Sequence, residues 1–171
     1  YKRQYSANKI NPPRNSKLME QIKIYHAKNE PVLSYMKGSK ERLNVEEAYN
    51  RMFNSRVEIP LYIGSERIIT NERKNILPPH DHKNVVGTFS VANKKHVEDA
   101  IKNNLKVKES WSNMHWSERC DIFLKAADLV SKEYRAKITA GTMIGQSKNI
   151  FQAEIDAACE FADFLRFNVS Y

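Results

Sequence analysis

Apolar residues recur at helical spacing along most of the chain and alternate with polar ones in only two short stretches. The longest periodic run predicts a helix over residues 150–168, roughly 28 Å at about 1.5 Å per residue. It holds no Gly or Pro, and its Ala, Glu, Gln, Leu and Arg favour helix. Phe151, Ile155, Ala158, Ala162, Leu165 and Val169 form one apolar stripe. Ala153, Asp156, Glu160, Phe164 and Phe167 lie opposite. Two phenylalanines beside a carboxylate predict a helix covered on both sides, with Glu160 held against an apolar wall, an uncommon place for an acid.

The same reading places the other elements. Residues 29–32, Asn-Glu-Pro-Val, are extended because proline disfavours helix in the residue before it. Ser39 caps a helix over 40–54, with Leu43, Ala48, Tyr49, Met52 and Phe53 inward. Residues 57–70 read as a β-hairpin around Gly64-Ser65, with Pro60 at an edge or strand start. Residues 71–84 form a polar loop around Pro78-Pro79, and 85–91 a short β-branched strand.

A helix over 94–111, capped by Asn93 or Ala92, turns Val97, Ala100, Ile101 and Leu105 inward. Ser117 caps the next, whose stripe is Cys120, Phe123, Leu124, Ala127 and Val130. A further helix over 134–144 closes at Gly145, a helix-stopping residue. Residues 1–28 form a basic arm with a short helix over 17–27, and 29–171 a single layer. That layer is helix-rich with a little antiparallel sheet, and it lacks a βαβ alternation of its own.

Charge changes this picture little. Of the net +8, residues 1–30 carry +5, from seven basic and two acidic side chains. The excess sits in the leading arm, without the aromatic-basic platform of a nucleic-acid binder. A basic RNA-binding module is therefore the weakest of the readings, and no nucleic-acid partner is expected. No apolar run approaches the roughly 20 residues that span a bilayer, so no membrane insertion is expected.

Candidate chemistry is sparse. Gly145 to Asn149, GQSKN, has one glycine and lacks the Gly-x-Gly spacing that wraps amides around a phosphate; it reads as a helix-to-helix connection. Cys120 and Cys159 read as small apolar core residues, not a disulfide framework. The five histidines form no metal pattern; His80-Asp81-His82 comes nearest, in a loop, and no metal is expected. Asp156 and Asp163 read as ordinary helix-surface partners.

Four stretches carry a resemblance: NEPVLSYMKGSKER, IPLYIGSERI, ERCDIFLKAADLVSKEYR and GQSKNIFQAEIDAACEFADFLRFN. In this order they resemble the 1-pyrroline-5-carboxylate dehydrogenase branch of the aldehyde dehydrogenase superfamily, over about residues 29–171. The resemblance implies an α/β fold, of which this chain is the amino-terminal part. It implies oxidation of glutamate semialdehyde to glutamate with NAD, a homo-oligomer and a mitochondrial matrix location. It also implies that the catalytic cysteine, the general base, the oxyanion-hole asparagine and the nucleotide-binding turn lie further along the family's chain. No catalytic or cofactor-binding residue is therefore expected here. By its alignment with the family's matching helix end, Glu160 is implied to bind substrate, its carboxylate meeting the substrate nitrogen. A rival expectation is a truncated, non-catalytic relative acting as a structural or interaction subunit. The acid-free leader, residues 1–7, has the composition of a transit-peptide remnant, with a cut expected near Ser6.

Overall fold

A computed structural model describes residues 25–171. The expected processing site and most of the basic arm lie outside them, and residues 25–36 are non-helical. Helix α1 (Lys40–Phe53) begins at Ser39, whose hydroxyl accepts from the Arg42 N–H. Glu41 in its first turn and Arg51 in its last complement the helix dipole. Val45 and Ala48 form its buried face, whereas Leu43, expected inward, is exposed.

Five short strands follow: β1 (Val57–Ile59), β2 (Leu61–Ile63), β3 (Glu66–Ile68), β4 (Arg73–Ile76) and β5 (Gly87–Ser90). The expected hairpin is only β2 and β3, paired Leu61 to Ile68 around Gly64. Pro60 separates off β1, which pairs in parallel with β5. Strand β4 lies inside the stretch expected to be loop and pairs antiparallel with β5, Ile76 opposite Gly87. Its first three residues are exposed, so it carries no apolar alternation by which to read it. The described residues thus form a three-stranded mixed sheet, ordered β1-β5-β4, and a separate hairpin.

Helix α2 (Lys94–Asn113) starts in a capping box. The Asn93 side chain accepts from the His96 N–H, and His96 Nδ1 accepts from the Asn93 N–H. None of its residues is buried; Val97, Ile101 and Leu105 are 54%, 54% and 62% exposed instead of facing inward. Helix α3 (Trp116–Ser131) is capped by His115, not Ser117: His115 Nδ1 accepts from the Ser117 N–H. Ala127 and Val130 of its expected stripe are buried, Cys120 and Leu124 are half-buried, and Phe123 is exposed.

Helix α4 (Arg135–Gln146) runs through Gly145 and ends at Ser147, which takes the left-handed conformation at φ 55°. The final stretch is helical throughout but not one α-helix. A short α5 (Ile150–Ala153) passes into a wide π turn, Glu154–Cys159, and then into α6 (Glu160–Ser170).

Packing is close and built from small residues. Ala127, Ala140, Ala153, Ala158 and Ala162 have no exposed surface, which lets the α3–α6 backbones approach one another. Tyr35, Val45, Ala48 and Ala140 form a core where α1 lies on α4, flanked by Leu33, Tyr49, Met52, Met143 and Ile150.

Candidate functional site

The last helical stretch starts at Asn149, whose side chain accepts from the Gln152 N–H while the Gln152 side chain accepts from the Asn149 N–H. This fixes α5 so that Ile150 and Ala153 face the core, and Glu154 follows them inward. The Glu154 carboxylate is wholly buried, so it needs partners. Arg135, at the first turn of α4, supplies Nε and Nη2. The Tyr35 hydroxyl donates to Oε2 at 2.6 Å, and the Leu33 N–H donates to Oε1 at 3.1 Å.

Arg135 extends the network. Its Nη1 lies 2.5 Å from Glu30 Oε1, and its Nη2 donates to the Pro31 carbonyl at 2.7 Å. Glu30 Oε2 in turn takes Arg166 Nη1 at 2.5 Å, and Arg166 Nη2 donates to Ser131 Oγ at 3.2 Å. Asp163 accepts from the Glu30 N–H at 2.6 Å and from Asn29 Nδ2 at 2.8 Å. Residues 29–35 are thus strapped to α4, the π turn and α6 by three acids and two arginines.

The electrostatics favour the charged forms of Glu154, Arg135 and Arg166. Burial alone would raise the Glu154 pKa, but hydrogen bonds from Arg135, Tyr35 and Leu33 outweigh it and hold the carboxyl below its usual range. Burial opposes the charge on Arg135, yet Glu154 and Glu30 more than offset that and push its pKa up. Arg166 is raised against burial by Glu30. Burial, and then Glu154, raise the Tyr35 phenol, so it stays a donor. Cys159 is pushed up to about 11, by burial first and then by the Glu154 charge; it is an inert thiol.

Beside the cluster lies an open cleft of about 380 Å³, lined by Tyr35, Lys40, Asn44, Ser131, Lys132 and Arg135 among others. Its one buried cation, Arg135, is already committed to Glu154 and Glu30.

The structure separates the residues singled out in the sequence. Glu160 is exposed, at the first position of α6, and not against an apolar wall; Phe161 and Phe164 beside it are exposed too. Arg166, on the same helix, is committed to Glu30. Asp156 pairs with Lys148 at the surface, as a helix-surface acid should. Asp163 does not; it holds the backbone and side chain of residues 29–30. GQSKN is a helix connection, with Gly145 still inside α4. Cys120 and Cys159 are both unbridged.

Glu154, Arg135, Glu30 and Tyr35 escaped sequence reasoning. One signal was present: Glu154 lies in phase with Ile150 and Ala153, and an acid on an apolar face requires a cation. Nothing local points to Arg135, nineteen positions earlier.

Comparison with known proteins agrees with this architecture. A family model described as the aldehyde dehydrogenase family matches residues 69–171. A delta-1-pyrroline-5-carboxylate dehydrogenase of Agaricus bisporus is 46% identical over 151 residues, which cover 88% of this chain and 28% of that protein. The human protein named mitochondrial delta-1-pyrroline-5-carboxylate dehydrogenase is 40% identical over 143 residues, covering 84% of this chain and 25% of that protein. A Mycobacterium tuberculosis delta-pyrroline-5-carboxylate dehydrogenase, solved bound with NAD, superposes with a TM-score of 0.82 at 37% identity, over 85% of this chain and 27% of that one. The chain therefore spans about a quarter of the length of the relatives it matches. The α/β architecture expected from the sequence, an amino-terminal aldehyde dehydrogenase-like layer rich in helix, is the one observed. With the family model matched across more than half of its residues, this chain belongs to the aldehyde dehydrogenase family.

Proposed function

We propose that this chain is the amino-terminal portion of an NAD-dependent dehydrogenase that oxidises L-glutamate 5-semialdehyde, the open form of 1-pyrroline-5-carboxylate, to L-glutamate in proline degradation. The observation that carries this reading is 46% identity, spread over 151 residues, to a dehydrogenase of that name. The mitochondrial label of several relatives supports a mitochondrial location; the matrix as compartment and a homo-oligomer as assembly are part of the proposal.

The GQSKN turn does not have the form of a dinucleotide-binding turn. Gly145 lies within α4, and the turn after it is closed by the reciprocal caps of Asn149 and Gln152. The proposal assigns NAD to the rest of the family fold, together with the nucleophile and base. What this chain would supply is a wall of the substrate pocket. Glu160 is the residue proposed to touch substrate: its exposed carboxylate is free to meet the ammonium or imine nitrogen of the semialdehyde.

The row of exposed apolar residues on α2 and α6 favours this reading over a self-sufficient, non-catalytic subunit, because such surface calls for a cover. Glu160→Gln in the full-length enzyme tests it. The variant should lower kcat/KM for glutamate semialdehyde about ten- to a hundredfold, the worth of a charged hydrogen bond, while a simple aliphatic aldehyde is little affected. Equal losses for both aldehydes would make Glu160 a structural residue and remove the site assignment.

A further inference from the structure

The π turn decides which way Glu160 points. An α-helix returns to the same face every 3.6 residues. From the core-facing Ile150, Ala153 and Glu154, an unbroken α-helix would next turn Ala157 and Phe161 inward. The buried positions are instead Ala158, Cys159 and Ala162, one residue later. The wide turn absorbs that extra residue, and its closing hydrogen bond runs from the Glu160 N–H to the Ile155 carbonyl, five residues back. One residue of phase is about 100° of rotation about the helix axis. Without it Phe161 would turn into the core with Glu160 at its edge, and Cys159 and Ala162 would turn away from it.

Two features anchor the wide turn at its start. Glu154, its first residue, is held by Arg135, Tyr35 and Leu33. Tyr35 presents its hydroxyl from a backbone at φ 50°, a conformation that residues other than glycine seldom adopt and that the surrounding packing must enforce. Arg135 also donates to Cys159 Sγ at 3.5 Å, so one guanidinium touches both the first and the last residue of the turn.

We propose that Arg135 and Glu154 are positioning residues for substrate recognition: by pinning both ends of the π turn they set the rotational phase of α6 and so aim Glu160 at the substrate nitrogen. This rests on the reading of Glu160 given above. Neither residue touches substrate; each acts through the turn. The strain at Tyr35 and the irregular helix are the structural investment in that aim.

The test uses the full-length, NAD-loaded enzyme and two aldehydes: glutamate semialdehyde and a short aliphatic aldehyde with no nitrogen. Glu154→Gln and Arg135→Lys should each raise KM for the semialdehyde about tenfold, with kcat and the aliphatic aldehyde changed less than about threefold. In a Glu160→Gln background Glu154→Gln should add no further loss of discrimination, because the two act as one unit. Tyr35→Phe removes a single hydrogen bond without altering charge; with Arg135→Lys it decides the matter if Glu154→Gln fails to fold. Equal slowing of both aldehydes by these variants, with Glu160→Gln still selective, overturns the positioning role and leaves the proposed function standing. Loss of selectivity in none of them, Glu160→Gln included, overturns both.

Discussion

Glu30 lies 2.5 Å from Arg135 through Oε1, joining residues 105 positions apart, and its other oxygen lies 2.5 Å from Arg166. One carboxylate thereby fastens the non-helical segment before α1 to the first turn of α4 and to the middle of α6.

Removing it should be costly. Glu30→Ala leaves two arginines facing one another with 10% and 14% of their side chains exposed, which costs on the order of 3 kcal/mol. Glu30→Gln keeps hydrogen-bonding capacity and should cost less. Urea unfolding gives the ranking, and hydrogen exchange at the Leu33 amide should accelerate in the alanine variant. A stability within about 0.5 kcal/mol of the parent would show that the segment is held by its backbone contacts alone.

Acid should dismantle the same cluster. The Glu154 pKa is lower folded than unfolded, so near and below its ordinary value of 4.5 the unfolded chain binds the extra proton. Its contribution is present above that pH and is lost as pH falls through the folded value. Thermal unfolding followed from pH 6 down to pH 3 should show this decline. Glu154→Gln should be less stable at pH 6 and flatter below pH 4.5. Tyr35 works at the other end: its pKa is raised, so its contribution is complete below pH 10 and is lost as the pH climbs toward the folded value.

Gly87 is the tightest joint of the sheet. A Cβ there would fall 2.5 Å from the Val57 carbonyl oxygen and 2.7 Å from Val57 Cγ2. Gly87→Ala must therefore push β1 away from β5, at about 1–3 kcal/mol. Gly64→Ala strains a turn at φ 62° and meets only the tip of Asn103, at 3.2 Å, so about 1 kcal/mol is expected. Chemical denaturation of the two variants should give that order; the reverse order would mean that the β1–β5 pair contributes little to stability.

The exposed apolar face has a consequence for the chain in isolation. Val97, Ile101 and Leu105 on α2, with Phe161 and Phe164 on α6, should bind hydrophobic dye and promote self-association of the purified 171-residue chain. Leu105→Glu should reduce association without lowering the melting temperature, since that side chain is 62% exposed. A monomer that binds no dye at high concentration would mean that the face needs no cover. The same isolated chain should show no NADH formation with glutamate semialdehyde, because the reaction's nucleophile and base are assigned outside it.

Much of the local structure was written in the sequence. Ser39 and Asn93 marked helix starts because a short polar side chain satisfies the amide N–H groups left free in a first turn. Gly64 marked the hairpin because it accepts a positive φ. Periodicity located α1 to α4 to within a few residues and read the last helical stretch as one unbroken α-helix. The sequence misplaced what depends on partners distant in the chain. Strand β4 has no apolar alternation and exists because β5 offers its edge. Val97, Ile101 and Leu105 carry a core pattern but find no core among the described residues.

The site divides in the same way. Resemblance in the sequence pointed to Glu160, and nothing local could show that a π turn six residues long lies before it. Hydrophobic spacing assumes 3.6 residues per turn, so one inserted residue moves every later side chain to another face. That insertion is stabilised by Arg135, Tyr35 and Leu33 closing on a buried acid. The sequence determined the helices, the caps at Ser39 and Asn93, and the family; the tertiary structure decided which acid is buried and which is exposed, because desolvating Glu154 is tolerable only where three distant donors converge on it.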